Sequence, residues 1–376
     1  MKIAFYHTTL PAPGRKIGGV EVAVHRLANA VAGLPDNHEV TVFSLTGAPK
    51  GALYRHQQLF PAQKWMATDR IGRAFILPAL LNFVNFEHPD VLHLHGDDWF
   101  YLNRSIPTVR TMHGSAKHEA LSASSLPRKL LTSLVYPLEH LSVHLAHHSL
   151  AVGIETADIY KTNGLADNGV DSLVFHPGAK TNEPRLLYIG TWAGRKRGRF
   201  LYELFVNRIL PRFPRATLCF VSDFCPDHPR VIKEEFPSDE TLAQRYREAW
   251  VFCYPSIYEG FGIPYLEALA SGTPVICSPN SGAAYVLDNG KFGMIAEDES
   301  FADELIDLLQ RPDQRSKMAN KGLDRAAEFS WSSVAKKHVD IYSKLKASHK
   351  TQRANTQWGN RRGQKEYGII GDNTDQ

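Results

Sequence analysis

Residues 256–278, SIYEGFGIPYLEALASGTPVICS, leave little local freedom: they read as a loop, a short helix and a buried strand in succession. The apolar run WVFCY just before them, residues 250–254, suits a strand covered on both faces. Pro255 and Ser256 end that strand, and the turn Glu259-Gly260-Phe261-Gly262 carries two glycines that let backbone approach a ligand closely. Pro264 stands where a first helical residue belongs, since its missing N–H costs nothing there. Leu266, Leu269 and Ala270 form the buried face, and Ser271-Gly272-Thr273-Pro274 stops the helix before a strand at 275–278. The free N–H groups and positive dipole end at Gly262 to Tyr265 make an anion site at a strand's carboxyl end. Glu259 and Glu267 flank it. Carboxylates are poor phosphate ligands but accept hydrogen bonds from hydroxyls attached to a phosphate, so a diphosphate with a sugar at each end fits.

The rest of the chain repeats the alternation. Strand-like runs at 3–6, 40–45, 91–94, 108–112 and 149–152 alternate with helical periodicity at 20–31, 71–86, 126–145 and 154–160. A polar linker, HPGAKTNEP, occupies 176–184. Beyond it, strands at 186–189 and 217–221 alternate with helices at 200–209 and 239–249, and helices follow the opening stretch at 302–309, 313–327 and 331–345. Such alternation predicts an α/β fold of parallel sheets with helices on both faces. Two such domains, 1–177 and 178–330, place a cleft at the carboxyl ends of both sheets. Residues 347–376, nearly free of aliphatic side chains, are expected to form a disordered polar tail.

Composition bounds the function. A chain of 376 residues with 43% hydrophobic and 22% charged residues is a globular protein of about two domains. Its net charge of +4 suits a phosphate-bearing ligand and does not indicate nucleic acid. Cys219, Cys225, Cys253 and Cys277 lack paired spacing and are read as buried reduced thiols, which points to the cytoplasm. The first residues lack the apolar core and cleavage site of a signal peptide. The apolar stretch at 75–86 is interrupted by Pro78 and is too short to cross a bilayer. Basic and apolar residues mix at 70–86 and 126–136, so a peripheral contact with the inner membrane face is an expectation. His140, His144 and His148, at helical spacing, have no carboxylate or cysteine partner that would complete a metal site, and none is expected.

The string S-x-x-E-G-F-G-x-P-x-L-E-A-x-A-x-G-x-P-V resembles the donor-site signature of retaining glycosyltransferases of family 4 (glycosyl transferases group 1). That resemblance implies the GT-B fold: two doubly wound, Rossmann-like domains facing each other, with a C-terminal helix, 331–346, packing back on the first. It implies transfer of a hexose from a nucleotide diphosphate-sugar, UDP- or GDP-linked, to a hydroxyl of a glycan, glycolipid or polysaccharide precursor, without a metal or other cofactor. By the same resemblance Glu267 holds the donor's ribose, Glu259 the sugar hydroxyls, backbone N–H groups at Phe261, Gly262 and Ile263 the diphosphate, and His113 contacts the donor sugar. Gly18 and Gly19 match the family's first glycine-rich loop. In YIGTWAGRKRG, residues 188–198, Thr191 stands where the family usually has an arginine, so the diphosphate's positive partner is one of Arg195, Lys196 and Arg197. His95 ends a predicted strand beside His113 and points into the cleft. The alternative to an enzyme is a catalytically silent scaffold of the same fold that binds nucleotide or a partner, which the Thr191 departure favours and the Glu259–Glu267 pair opposes.

Overall fold

The computed structural model describes residues 1–11, 19–61, 69, 71–117, 120, 126–235 and 237–366. Among them, two parallel sheets form. The first holds β1 (Lys2–Tyr6), β2 (Glu39–Ser44), β3 (Arg55–Gln58), β4 (Val91–Leu94), β5 (Thr108–Met112), β6 (His148–Ala151) and β7 (Gly164–Leu165), in the order β3-β2-β1-β4-β5-β6-β7. The second holds β8 (Arg185–Ile189), β9 (Thr217–Val221), β10 (Val231–Glu234), β11 (Val251–Tyr254), β12 (Val275–Cys277) and β13 (Met294–Ile295), in the order β10-β9-β8-β11-β12-β13. Apolar strands such as VLHL and VFCY are buried along their whole length, as strands covered on both faces must be.

Each chain half steps outward from its first strand, then returns to that strand's other side. The winding therefore reverses between β1 and β4, and again between β8 and β11. Loops leaving adjacent strands at such a point diverge and open a crevice. Polar contacts join the halves: Arg26 pairs with Asp239 at 2.8 Å, and the Tyr285 hydroxyl donates to Asp167 at 2.5 Å. Behind β6 the backbones nearly touch. A Cβ on Gly153 would lie 1.8 Å from the Gly260 carbonyl oxygen, so no side chain fits there.

The structure redraws several boundaries. The helical stretch expected at 71–86 ends at Phe83 and is built of a π turn (Gly72–Ile76), one α turn (Leu77–Leu80) and a 3-10 turn (Leu81–Phe83). Helix Leu126–Leu145 ends before His148, which instead opens β6, so the three histidines do not share a helix. The tail needs a larger correction. Helix Trp331–Glu366 runs twenty residues past the expected end at 346, so 347–366 is helical rather than disordered. Its first half is anchored by buried Val334, Ala335 and Tyr342, by Lys346 on Asp90 at 2.7 Å, and by a His349 Nε2 contact to the Arg104 carbonyl at 3.4 Å. An anchored helix propagates cheaply through residues rich in lysine, arginine, glutamine and alanine with no proline. The last ten residues of the expected tail, 367–376, lie outside the described residues. All four cysteines are free and buried.

Candidate active site

The turn after β8 and the loop after β11 leave the second sheet at its reversal point, and this brings Lys196 to Glu259. The Tyr188 hydroxyl pins the turn by donating to the carbonyls of Thr191 and Lys196, at 2.8 and 3.2 Å. The Ile257 N–H donates to the Arg195 carbonyl at 3.0 Å and ties the turn to the neighbouring loop. Lys196 Nζ then lies 2.5 Å from Glu259 Oε1, donates to the Tyr254 hydroxyl, and sits 4.6 Å above the Tyr254 ring. Arg195 Nη1 reaches the same carboxylate oxygen at 2.9 Å and also donates to the Tyr258 carbonyl. Ser256 Oγ adds a third donor at 2.6 Å. Glu259 is buried under these partners. Burial pushes the Lys196 ammonium below its usual range, against the opposing pull of Glu259. Arg197 goes elsewhere. Its left-handed backbone (φ 57°) swings the guanidinium onto Asp298, which it grips at 2.5 and 2.8 Å. Of the three basic candidates, Arg195 and Lys196 meet Glu259 and Arg197 does not.

Gly262 caps helix Ile263–Ala270 with φ 92°, where an added Cβ would fall 2.3 Å from the Tyr265 ring. Only glycine satisfies both demands. Phe261 turns its ring inward against Tyr285 and Phe329, so its backbone rather than its side chain is what it offers the cleft. Glu267, one turn along, accepts a hydrogen bond from the Tyr246 hydroxyl at 3.0 Å. Burial raises its carboxyl to about 7, with the Tyr246 bond and the Arg26 charge opposing the rise.

The first sheet supplies the other wall. His95 Nδ1 and His113 Nε2, just past β4 and β5, lie 2.9 Å apart. Burial drives both imidazoles toward neutrality, His113 down to about 3 and His95 well below its usual range. Beside them, Asp97 holds a left-handed backbone (φ 51°), accepts from Thr8 Oγ1, and pairs with Arg73 at 2.8 Å. Gly19 opens helix Gly19–Ala32 and is exposed, with nothing within 4 Å of an added Cβ. Gly18 lies outside the described residues.

Comparison with known proteins fits this geometry. The profile described as "Glycosyltransferase Family 4" matches residues 17–181, and the one described as "Glycosyl transferases group 1" matches residues 230–325. The chain belongs to glycosyltransferase family 4. Among curated relatives, the alpha-maltose-1-phosphate synthase of Mycolicibacterium smegmatis is 26% identical over 72% of this chain and 84% of its own length. The O-antigen chain mannosyltransferase B of Escherichia coli and the D-inositol 3-phosphate glycosyltransferase of Corynebacterium urealyticum are 34% and 38% identical. Those two matches each span 28% of this chain, and the chain spans only 28% and 26% of those relatives' own lengths. The sucrose-phosphate synthase of Thermosynechococcus elongatus superposes with a TM-score of 0.73 at 20% identity, covering 92% of this chain and 99% of that one. Anabaena HepE with UDP and glucose gives 0.65 at 16% identity, covering 91% and 99%. Both likenesses show the GT-B fold.

Thr191, where the resemblance expects an arginine, keeps its side chain within its own turn. Its hydroxyl bonds locally to the Ala193 carbonyl at 2.8 Å, and Arg195 is the residue that brings a guanidinium to Glu259. Sequence reasoning missed Tyr254, Ser256, Tyr246, Arg73 and Asp97. Nothing in their local pattern separates a tyrosine that orients a charged side chain from one that fills a core. Only Asp97, in the loop GDDWFY that follows an apolar strand, carried a readable hint.

Proposed function

We propose that the protein is a retaining glycosyltransferase that moves a hexose from a nucleotide diphosphate-sugar to an acceptor hydroxyl without a metal. The observation that carries this reading is the meeting of Arg195 and Lys196 with Glu259 beside the N-terminus of helix Ile263–Ala270. Two cations against the single carboxylate of Glu259, beside a helix N-terminus, leave a preorganised site of net positive charge. It can take the charge that develops on a departing diphosphate, the role a metal fills in other transferases. Glu259 then accepts from sugar hydroxyls and Glu267 from the ribose. In the step itself the bond from the anomeric carbon to phosphate oxygen breaks and a bond to the acceptor oxygen forms on the same face. The acceptor's proton passes to the leaving phosphate. UDP and UDP-glucose in the Anabaena HepE structures support a UDP-sugar as the first donor to test, with GDP-sugars next.

The acceptor side lies toward Arg73 and Asp97, where we assign a glycan or a lipid-linked sugar, and His113 faces the transferred sugar on the donor side. Among the described residues no helix is long and apolar enough to cross a membrane. Helix Leu126–Leu145 nevertheless exposes Leu126, Leu130 and Leu134 on one face beside exposed Lys129, a pattern that suits peripheral contact with an anionic membrane surface.

Thermal stabilisation and turnover with a panel of UDP-, GDP- and ADP-sugars test the reading. A true donor raises the melting temperature and is consumed, slowly by water and faster with acceptor. Stabilisation by nucleotide with no consumption of any donor would favour the silent scaffold. No response to any nucleotide would overturn the donor site.

A further inference from the structure

Beneath the cleft lies a stack of imidazoles that the donor-site residues do not account for. His93, within β4, is held at both nitrogens, by the Tyr342 hydroxyl at 2.6 Å and by Thr111 Oγ1 at 2.7 Å. His95 lies on it with ring centroids 3.9 Å apart and stacks on Phe5 at 5.9 Å, so its ring plane is fixed from two sides. The His95 ring, so held, has one polar contact among the described residues: Nδ1 to His113 Nε2 at 2.9 Å. Its Nε2 is buried with no hydrogen-bond partner.

That orphaned nitrogen decides which ring donates. Both histidines are neutral, so each carries one proton. If His113 Nε2–H donated to His95 Nδ1, the His95 proton would sit on Nε2 as a buried donor with no acceptor. If His95 Nδ1–H donates, Nε2 is left as an unpaired acceptor, the less costly of the two. A second observation agrees. His95, His113 and Trp331 line one small cavity of about 10 Å³, and Trp331 Nε1 is also buried without a partner. An indole nitrogen is a donor only. One residue of its lining thus already carries an unmatched donor, and an acceptor at His95 Nε2 adds no second one.

We propose that His95 is a positioning residue: its Nδ1–H fixes His113 as the tautomer protonated on Nδ1. That nitrogen, which has no partner among the described residues, is thereby presented to the cleft as a hydrogen-bond donor. The group it recognises is an acceptor-type oxygen, a hydroxyl oxygen of the transferred sugar. This rests on the donor-site reading above, which places His113 against that sugar.

Nitrogen chemical shifts of the full chain labelled with ¹⁵N-histidine test the tautomer without substrate. A His113 resonance pair with Nδ1 protonated and Nε2 bare supports the proposal; the reverse overturns it whether or not any donor is ever found. Kinetics then test the consequence. His95→Leu is expected to lower kcat/KM for the donor by about five- to tenfold, the factor one neutral hydrogen bond commands. Affinity for the sugar-free nucleotide diphosphate should be unchanged. His95→Asn keeps an N–H near the Nδ1 position and should recover most of the loss. In a His113→Ala background, His95→Leu should cost nothing further. Additive losses, or equal losses for the Leu and Asn variants, would overturn the proposal. If His95→Leu does not fold, the wild-type tautomer still decides. Wild type that consumes no donor would retire the donor-site reading and leave the tautomer assignment standing on the nitrogen shifts.

Discussion

Glu267→Gln should stabilise this protein at alkaline pH while weakening its grip on nucleotide. Burial against helix Asp239–Glu248, with Tyr246 as its hydrogen-bond donor, raises the Glu267 carboxyl from 4.5 to about 7. A carboxyl raised on folding binds its proton more tightly in the native state, so ionising it opposes folding. At about 1.4 kcal/mol for each tenfold change in acidity, the cost approaches about 3 kcal/mol. It is absent below pH 4.5, grows between 4.5 and 7, and is fully present above 7. Wild-type stability therefore carries a downward slope across that window which Gln, always neutral and still able to accept from Tyr246, removes. Urea unfolding of both proteins at pH 5, 6, 7 and 8.5 measures it: the variant's advantage should be less than about 1 kcal/mol at pH 5 and rise to about 3 kcal/mol at pH 8.5. Calorimetry at pH 8 should show the opposite trend in function. Loss of charge-assisted hydrogen bonds to the ribose, about 1.5–3 kcal/mol, weakens nucleotide binding by roughly ten- to a hundredfold. A stability difference that does not change with pH would refute the burial argument. Unchanged nucleotide affinity would refute the ribose assignment.

Four further outcomes follow from the same geometry. Lys196→Met should reduce donor kcat/KM by about a hundredfold or more, as loss of a preorganised charge does. Arg197→Ala, which breaks a partly exposed pair with Asp298 and a cation–π contact with Phe200, should change turnover little and stability by about 1 kcal/mol, and equal kinetic effects would reverse the assignment of the two. Asp98→Ala should lower the unfolding free energy by about 3–5 kcal/mol, because it strands the buried Arg110 guanidinium 3.0 Å away inside the first sheet; a shift below about 1 kcal/mol in urea unfolding would show the pair is not desolvated. Replacing Leu130 and Leu134 with Asp should abolish salt-sensitive sedimentation with anionic vesicles without altering the melting temperature, and binding that survives would remove that helix as the contact.

Local chemistry was enough for the central elements. A strand covered on both faces is apolar along most of its length, and a helix packed on a sheet must repeat its apolar side chains every three to four residues. VLHL, TLCFV and VFCY therefore announce β4, β9 and β11, and the turn EGFGIP announces helix Ile263–Ala270. The edges were not legible. β3 (RHQQ), β7, β10 (VIKE) and β13 are the outermost strands of their sheets, short or polar because one side meets no neighbour, and in a linear reading they look like loop. The run past residue 346 looked disordered because it has little to bury, yet helix formation there needs only an anchored start, which packing against the first domain provides. The site divides in the same way. Glu259 and Glu267 lie on one contiguous loop and helix, so their neighbourhood is a property of sequence. Which of Arg195, Lys196 and Arg197 faces Glu259 depends on one left-handed residue and a tyrosine pin from β8, and the His95–His113 contact on the register of two parallel strands. Those distances are set by how the sheets wind, and winding is decided by packing among residues far apart in the chain.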